Sequence, residues 1–158
     1  MNDHRETRDR RIVIGVDGSI HSKTALRWAI TQARLVGAPV EVVSAWQEPV
    51  LIGHSYGGPP LPYEGESIAT ITEKVLAETV ADVTGQQDQP VEIRTRVAQG
   101  HPAQVLLEAA AGAQMLVLGS RGHGTLAGIL LGSVSQHCVQ HAPCPVVVVP
   151  QDPAPSRP

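Results

Sequence analysis

The chain has 158 residues, 42% hydrophobic and 17% charged, with a formal net charge of -3, which fits one soluble globular domain rather than a disordered or fibrous chain. With 3% aromatics, no Phe and no basic excess, it lacks the positive field and stacking rings by which most proteins hold nucleic acid. No apolar run approaches the roughly 18 to 20 residues that a membrane-spanning helix needs.

The opening residues, MNDHRETRDRR, are charged and carry no apolar core of a secretory signal, so a cytoplasmic location is expected. Residues 1–10 read as a flexible tail and residues 151–158 as a Pro-rich one, leaving a domain over residues 11–150. Ile12 to Val16 is a β-branched run and reads as the first strand. A turn, Asp17-Gly18-Ser19, leads into a helix whose apolar stripe is Ala25, Leu26, Ala29, Ile30 and Ala33. Gly37 stops that helix, and Val40 to Trp46 reads as a second strand.

Residues 47–65 hold too many Gly and Pro for a regular element and read as a long loop over one end of the sheet. A second helix is predicted from about Glu66 to Thr84, with Ile68, Ile71, Val75 and Val83 inward. The next strand alternates, Val91, Ile93 and Val97 against Glu92, Arg94 and Arg96, as an edge strand with one wet face does. Pro102 suits the first turn of a third helix carrying Val105, Leu106, Ala109 and Ala110 inward. Gln114 to Leu118 reads as a short apolar strand without polar alternation, central and covered on both faces. A glycine-rich segment follows, then a helix from about Ser133 to His141, with Ser133 its N-cap, and a last strand, Val146 to Val149.

Strands and helices therefore alternate, which implies an α/β fold. The reading is an open doubly wound five-stranded parallel sheet with helices on both faces, Rossmann-like or flavodoxin-like, in strand order 3-2-1-4-5. Such a sheet binds ligands at the carboxyl ends of its strands, where the strand order reverses. Two segments emerge there: Val16-Asp17-Gly18-Ser19 after the first strand, and the glycine-rich stretch after the fourth.

That stretch has neither the spacing nor the lysine of GxxxxGK[ST], so a phosphoryl-transferring P-loop is rejected. Residues 122–127 match GxGxx[GA], but late in the chain and without an acidic residue about 20 positions on to hold a ribose. The better fit is Gly119-x2-Gly122-x9-Gly132-Ser133. Glycines let a backbone approach a polyanion, and a helix N-terminus favours negative charge. This pattern resembles the ATP-binding signature of the universal stress protein family, as do the order of elements, the DGS turn and the PCPVVVV ending.

The resemblance implies an adenine-nucleotide-binding protein with a regulatory role in stress response. It would hold ATP, with Mg or Mn on the phosphates. Val16, Asp17 and Ala45 would hold adenine and ribose, while Gly119, Arg121, Gly122, Gly132, Ser133, Val134 and Ser135 would surround the phosphates. It also implies a homodimer paired through Val146 to Val149, the other sheet edge, where unpaired backbone needs cover.

Plainer readings stand beside these. Asp17-Gly18-Ser19 can be turn and cap chemistry alone, Arg121 a solvated loop residue, and the glycines a tight loop. His137 and His141 share the spacing of HExxH, but Cys138 stands where the general-base Glu belongs, so metalloprotease chemistry fails and they read as helix-surface residues. His123 reads as an exposed loop imidazole, and Cys138 and Cys144 as free thiols rather than a redox or metal pair. No GxSxG elbow and no paired carboxylates support catalysis. Two alternatives to regulatory binding are kept: slow ATP hydrolysis or nucleotidyl transfer at the same site, and a ligand-free dimeric interaction module.

Overall fold

The computed structural model describes residues 10–48, 67–85, 91–122 and 131–151. Most of the long 47–65 loop, His123 and nearly all of both predicted tails lie outside the described residues. Nine elements alternate along the chain: β1 (Ile12–Gly15), α1 (Ile20–Val36), β2 (Val40–Trp46), α2 (Ile68–Thr84), β3 (Ile93–Gln99), α3 (Pro102–Ala109), β4 (Met115–Gly119), α4 (Ser133–His141) and β5 (Val146–Val149).

All five strands pair in parallel in the order β3-β2-β1-β4-β5, as the alternation of strands and helices predicts. The β1 residues Ile12, Val13 and Ile14 are fully buried because both faces are covered. On one face Ile12, Ile14, Val40 and Val42 pack with α1 and α2 through Leu26, Ile30, Leu76 and Val83. On the other, Val13, Val43, Leu116 and Leu118 pack with α3 and α4 through Leu106, Ala109 and Cys138. Two such layers follow from period-2 alternation along each strand.

One sequence expectation fails in α2. Ile71 and Val75 are not inward: they are 45% and 39% exposed, and the buried residues are Leu76, Thr79 and Val83. The threonines explain the error. Thr79 Oγ1 donates to the Val75 carbonyl at 2.7 Å and Thr72 Oγ1 to the Ile68 carbonyl at 2.8 Å, so each hydroxyl is satisfied inside its own helix. A threonine whose hydroxyl is so occupied can face the core, and the stripe turns by part of a helical turn.

At the opposite end from the crevice, Arg11 ties three elements together. Its guanidinium donates to Glu41 of β2 at 2.8 Å and to the Ala109 and Ala111 carbonyls at the end of α3, at 2.7 and 3.0 Å. A cation on the last carbonyls of a helix satisfies acceptors that have no intrahelical partner.

Candidate functional site

β1 and β4 are neighbours, yet the helices that follow them lie on opposite faces of the sheet, so a crevice opens where their carboxyl ends diverge. A cavity of about 250 Å³ occupies it. All ten sequence-predicted site residues line it: Val16, Asp17, Ala45, Gly119, Arg121, Gly122, Gly132, Ser133, Val134 and Ser135. The lining divides by chemistry. Val43, Ala45, Pro102, Leu106 and Leu118 are apolar, whereas Asp17, Arg121, the glycines and the α4 serines are polar or without side chains.

Strand register places Ala45. Gly15, the last residue of β1, pairs with Val43, so Ala45 stands two residues further along the same face of β2. There it extends past the end of β1 into the crevice. The Val16 amide still donates to the Val43 carbonyl at 2.9 Å, and the buried Ser44 hydroxyl donates to the Val16 carbonyl, fixing the chain just before Asp17.

The turn after β1 is closed by its own residues. Asp17 Oδ1 accepts the Ser19 amide at 2.9 Å, and Ser19 caps α1 by accepting the Ser22 amide at 3.2 Å. Gly18 sits at φ +81°, a left-handed conformation that favours glycine. The turn-and-cap reading of this segment is thus real, while the carboxylate of Asp17 still reaches the cavity wall.

Across the crevice, Gly122 meets Asp17. A Cβ on Gly122 would fall 2.6 Å from Asp17 Oδ2, so a side chain there would push the carboxylate aside. Gly119 is different. Its absent Cβ would lie 2.9 Å from the backbone carbon and oxygen of His21, so this glycine lets β4 pack against the first turn of α1. The backbone approach it permits is within the fold, not only towards a ligand.

α4 begins at Ser133 as predicted, but its N-cap is Gly132, not Ser133. Gly132 is the N-cap and offers no side chain to cap with, and Ser133 is the first helical residue. The residues just after β4 and at the start of α4 are tied together. The Gly132 amide donates to the Ser120 carbonyl at 2.8 Å, the Ser120 amide to the Val149 carbonyl at 3.1 Å, and the buried Ser135 hydroxyl to the Gly119 carbonyl at 2.7 Å. Ser135 therefore holds α4 against β4 with its hydroxyl, and only the exposed Ser133 hydroxyl is without this duty.

Sequence reasoning missed Gly15, Ser22, Val43, Pro102, Leu106 and Leu118 as lining residues. Gly15 was readable, since it interrupts the β-branched run Ile12-Val13-Ile14-Gly15-Val16. A Cβ there would stand 2.8 Å from the Leu106 side chain, which marks how closely α3 approaches β1. That approach is tertiary and leaves no local mark.

The cysteines stand apart from this chemistry. Both are free, and burial pushes the Cys138 thiol up to about 11, away from the reactive thiolate. Burial also raises Cys144, against smaller opposing effects of a backbone hydrogen bond at Leu116 and of Arg11. Among the described residues no group of three or more His, Cys, Asp or Glu could hold a metal ion.

A doubly wound α/β sheet with a glycine-lined cavity at its switch point has the architecture of a broad class of Rossmann-like domains, and the chain's similarities narrow that class. Residues 9–150 match the model of the universal stress protein family, and the chain belongs to it. A universal stress protein of Thermus aquaticus is 38% identical over 143 residues, covering 89% of this chain and 98% of its own length. One from Mycobacterium tuberculosis strain H37Rv is 34% identical over 153 residues, 90% of this chain but 48% of that protein. The chain thus spans about half the length of that relative and of the other curated mycobacterial proteins it matches. A crystal structure of a universal stress protein in complex with cAMP superposes with a TM-score of 0.63 at 26% identity, over 89% of this chain and 95% of that one.

Proposed function

We propose that this protein binds an adenine nucleotide, ATP, in the cavity between β1 and β4, and acts as a regulatory protein of the stress response through its bound state. One observation carries the reading: the N-terminus of α4 lines the cavity, and its N-cap residue, Gly132, has no side chain to cap it with. First-turn amides have no intrahelical partner, and the helix dipole makes their end partly positive, so a polyanion is a suitable cap. Arg121 supplies a cation beside them, and the apolar Val43, Ala45, Leu106 and Leu118 supply a surface for a base. The similar structure solved with cAMP supports an adenine nucleotide as the ligand class.

A divalent cation, Mg or Mn, fits this site as a companion of the phosphates rather than as a protein-held ion. Asp17 is the one carboxylate lining the described cavity, and a hard cation takes one or two carboxylates together with phosphate oxygens and water. The cation would offset phosphate charge, and Asp17 would be its one protein ligand.

We read the site as one for binding rather than turnover. Asp17 Oδ1 already accepts the Ser19 amide, and no second acid lines the described cavity to share general acid and base work. The cytoplasm is the proposed location, supported by two free cysteines. Homodimer pairing through β5 is supported by its position at the sheet edge, with Val146, Val147 and Val148 only partly buried.

Calorimetry with MgATP tests the reading. The expected result is one ATP per chain, retained without release of ADP, with wild-type affinity lost in Gly122→Val. Absence of any binding overturns it. Sedimentation at micromolar concentration separately tests the dimer, and a monomer refutes it.

A further inference from the structure

The nucleotide reading uses the first turn of α4 and leaves its C-terminal half without a role. His137 and His141 lie there, both exposed, with ring centroids 4.4 Å apart and planes inclined by 24°. His141 Nδ1 is 3.0 Å from the His137 carbonyl oxygen. A carbonyl can only accept, so Nδ1 is the donor, and in the neutral imidazole Nε2 is then the nitrogen with the free lone pair. Donation of one ring nitrogen to a backbone carbonyl is how metal-ligating histidines are oriented and made more basic. The i, i+4 spacing holds the two rings over the same face of the helix, and the helix C-terminus favours a cation.

We propose that His137 and His141 form a two-imidazole site for a divalent transition-metal ion of the zinc class, independent of the nucleotide cavity. Imidazole nitrogen suits Zn, Cu and Ni and not Mg or Ca, so this site and the phosphates of a nucleotide select different metals. Among the described residues no third His, Cys, Asp or Glu completes the set. Two protein nitrogens leave the remaining tetrahedral positions to water or to a donor from another molecule.

The test is a Zn2+ titration of the full, tag-free chain, read by the imidazole nitrogen resonances of each histidine. The Nε2 signals of His137 and His141 should move together, at one Zn2+ concentration, while His141 Nδ1 stays protonated. His137→Ala should raise the Zn2+ needed at His141 by about tenfold or more, the scale on which even an outer-shell partner acts. One Zn2+ per chain, or one per two chains with a doubled mass in sedimentation, supports the site; the latter adds a second copy as the source of the missing ligands. The proposal falls if the two histidines respond at different concentrations, if neither responds at millimolar Zn2+, or if His141 titrates unchanged in His137→Ala. Since MgATP binding is measured separately, failure here leaves the nucleotide reading intact.

Discussion

α1 and α4 both start at the crevice, and they start differently. α1 is closed by its own sequence: Asp17 accepts the Ser19 amide, Ser19 accepts the Ser22 amide, and the Ser22 hydroxyl returns a bond to the Ser19 carbonyl at 2.9 Å. α4 has Gly132 as its N-cap and no side-chain cap. Both helices share the same backbone chemistry and dipole, so the contrast lies wholly in what the first residues offer the free amides. Under the proposed function, the end that Gly132 leaves without a side-chain cap is the one that an external anion would cap.

The strongest way to break this contrast is to force the two sides apart. Gly122→Val places a Cβ 2.6 Å from Asp17 Oδ2, so either the carboxylate or the loop must move. Loss of contacts to a charged ligand costs about 1.5–3 kcal/mol, so MgATP affinity should fall about 10–100-fold by calorimetry. Unfolding in urea should be little changed, because Gly122 lies at the cavity wall rather than in the core. Unaltered affinity would mean that the ligand does not pass between these residues.

Gly119→Ala separates fold from site at the neighbouring glycine. The added methyl meets the His21 backbone at 2.9 Å, which cannot rotate away as a side chain can. Overpacking of this kind costs about 1–3 kcal/mol, and it should appear as a lower urea midpoint with an unchanged m-value.

These two glycines show what the sequence could and could not convey. The family resemblance, carried by the glycine spacing and the order of elements, named ten site residues that all line one cavity, and the strand runs and turn residues that frame them are local signals. The division of labour among them was not legible. Gly119 serves a helix-strand contact and Ser135 spends its hydroxyl on the Gly119 carbonyl, and both partners become neighbours only on folding. The same limit hid Pro102 and Leu106, which α3 brings to the cavity after the chain crosses from the β3 edge to β4. In α2 the obstacle was chemical: threonine is polar by composition, yet Thr79 is buried because its hydroxyl bonds within its own helix.

Opening the closed helix is the next test in size. Ser19→Ala removes the α1 cap, and the loss of such a cap costs about 0.5–2 kcal/mol. Since Ser19 does not line the cavity, the variant should lose thermal stability while MgATP affinity changes less than in Gly122→Val. A large affinity loss with unchanged stability would show that the turn serves the ligand more than the helix.

Closing the open helix is the smallest change and the sharpest. Gly132 has φ -67° and ψ 163°, an extended conformation that serine adopts without strain. Gly132→Ser therefore supplies α4 with the cap that Ser19 gives α1. Serine improves on glycine at an N-cap by only a few tenths of a kcal/mol, so the ligand-free protein should gain that much in urea unfolding. The same hydroxyl competes with phosphate for the first-turn amides, so MgATP should bind more weakly, while adenosine, which has no phosphate, should bind as before. Stability and phosphate affinity thus move in opposite directions through one atom. If both rise, or if adenosine weakens equally, the α4 amides are not what holds the anion.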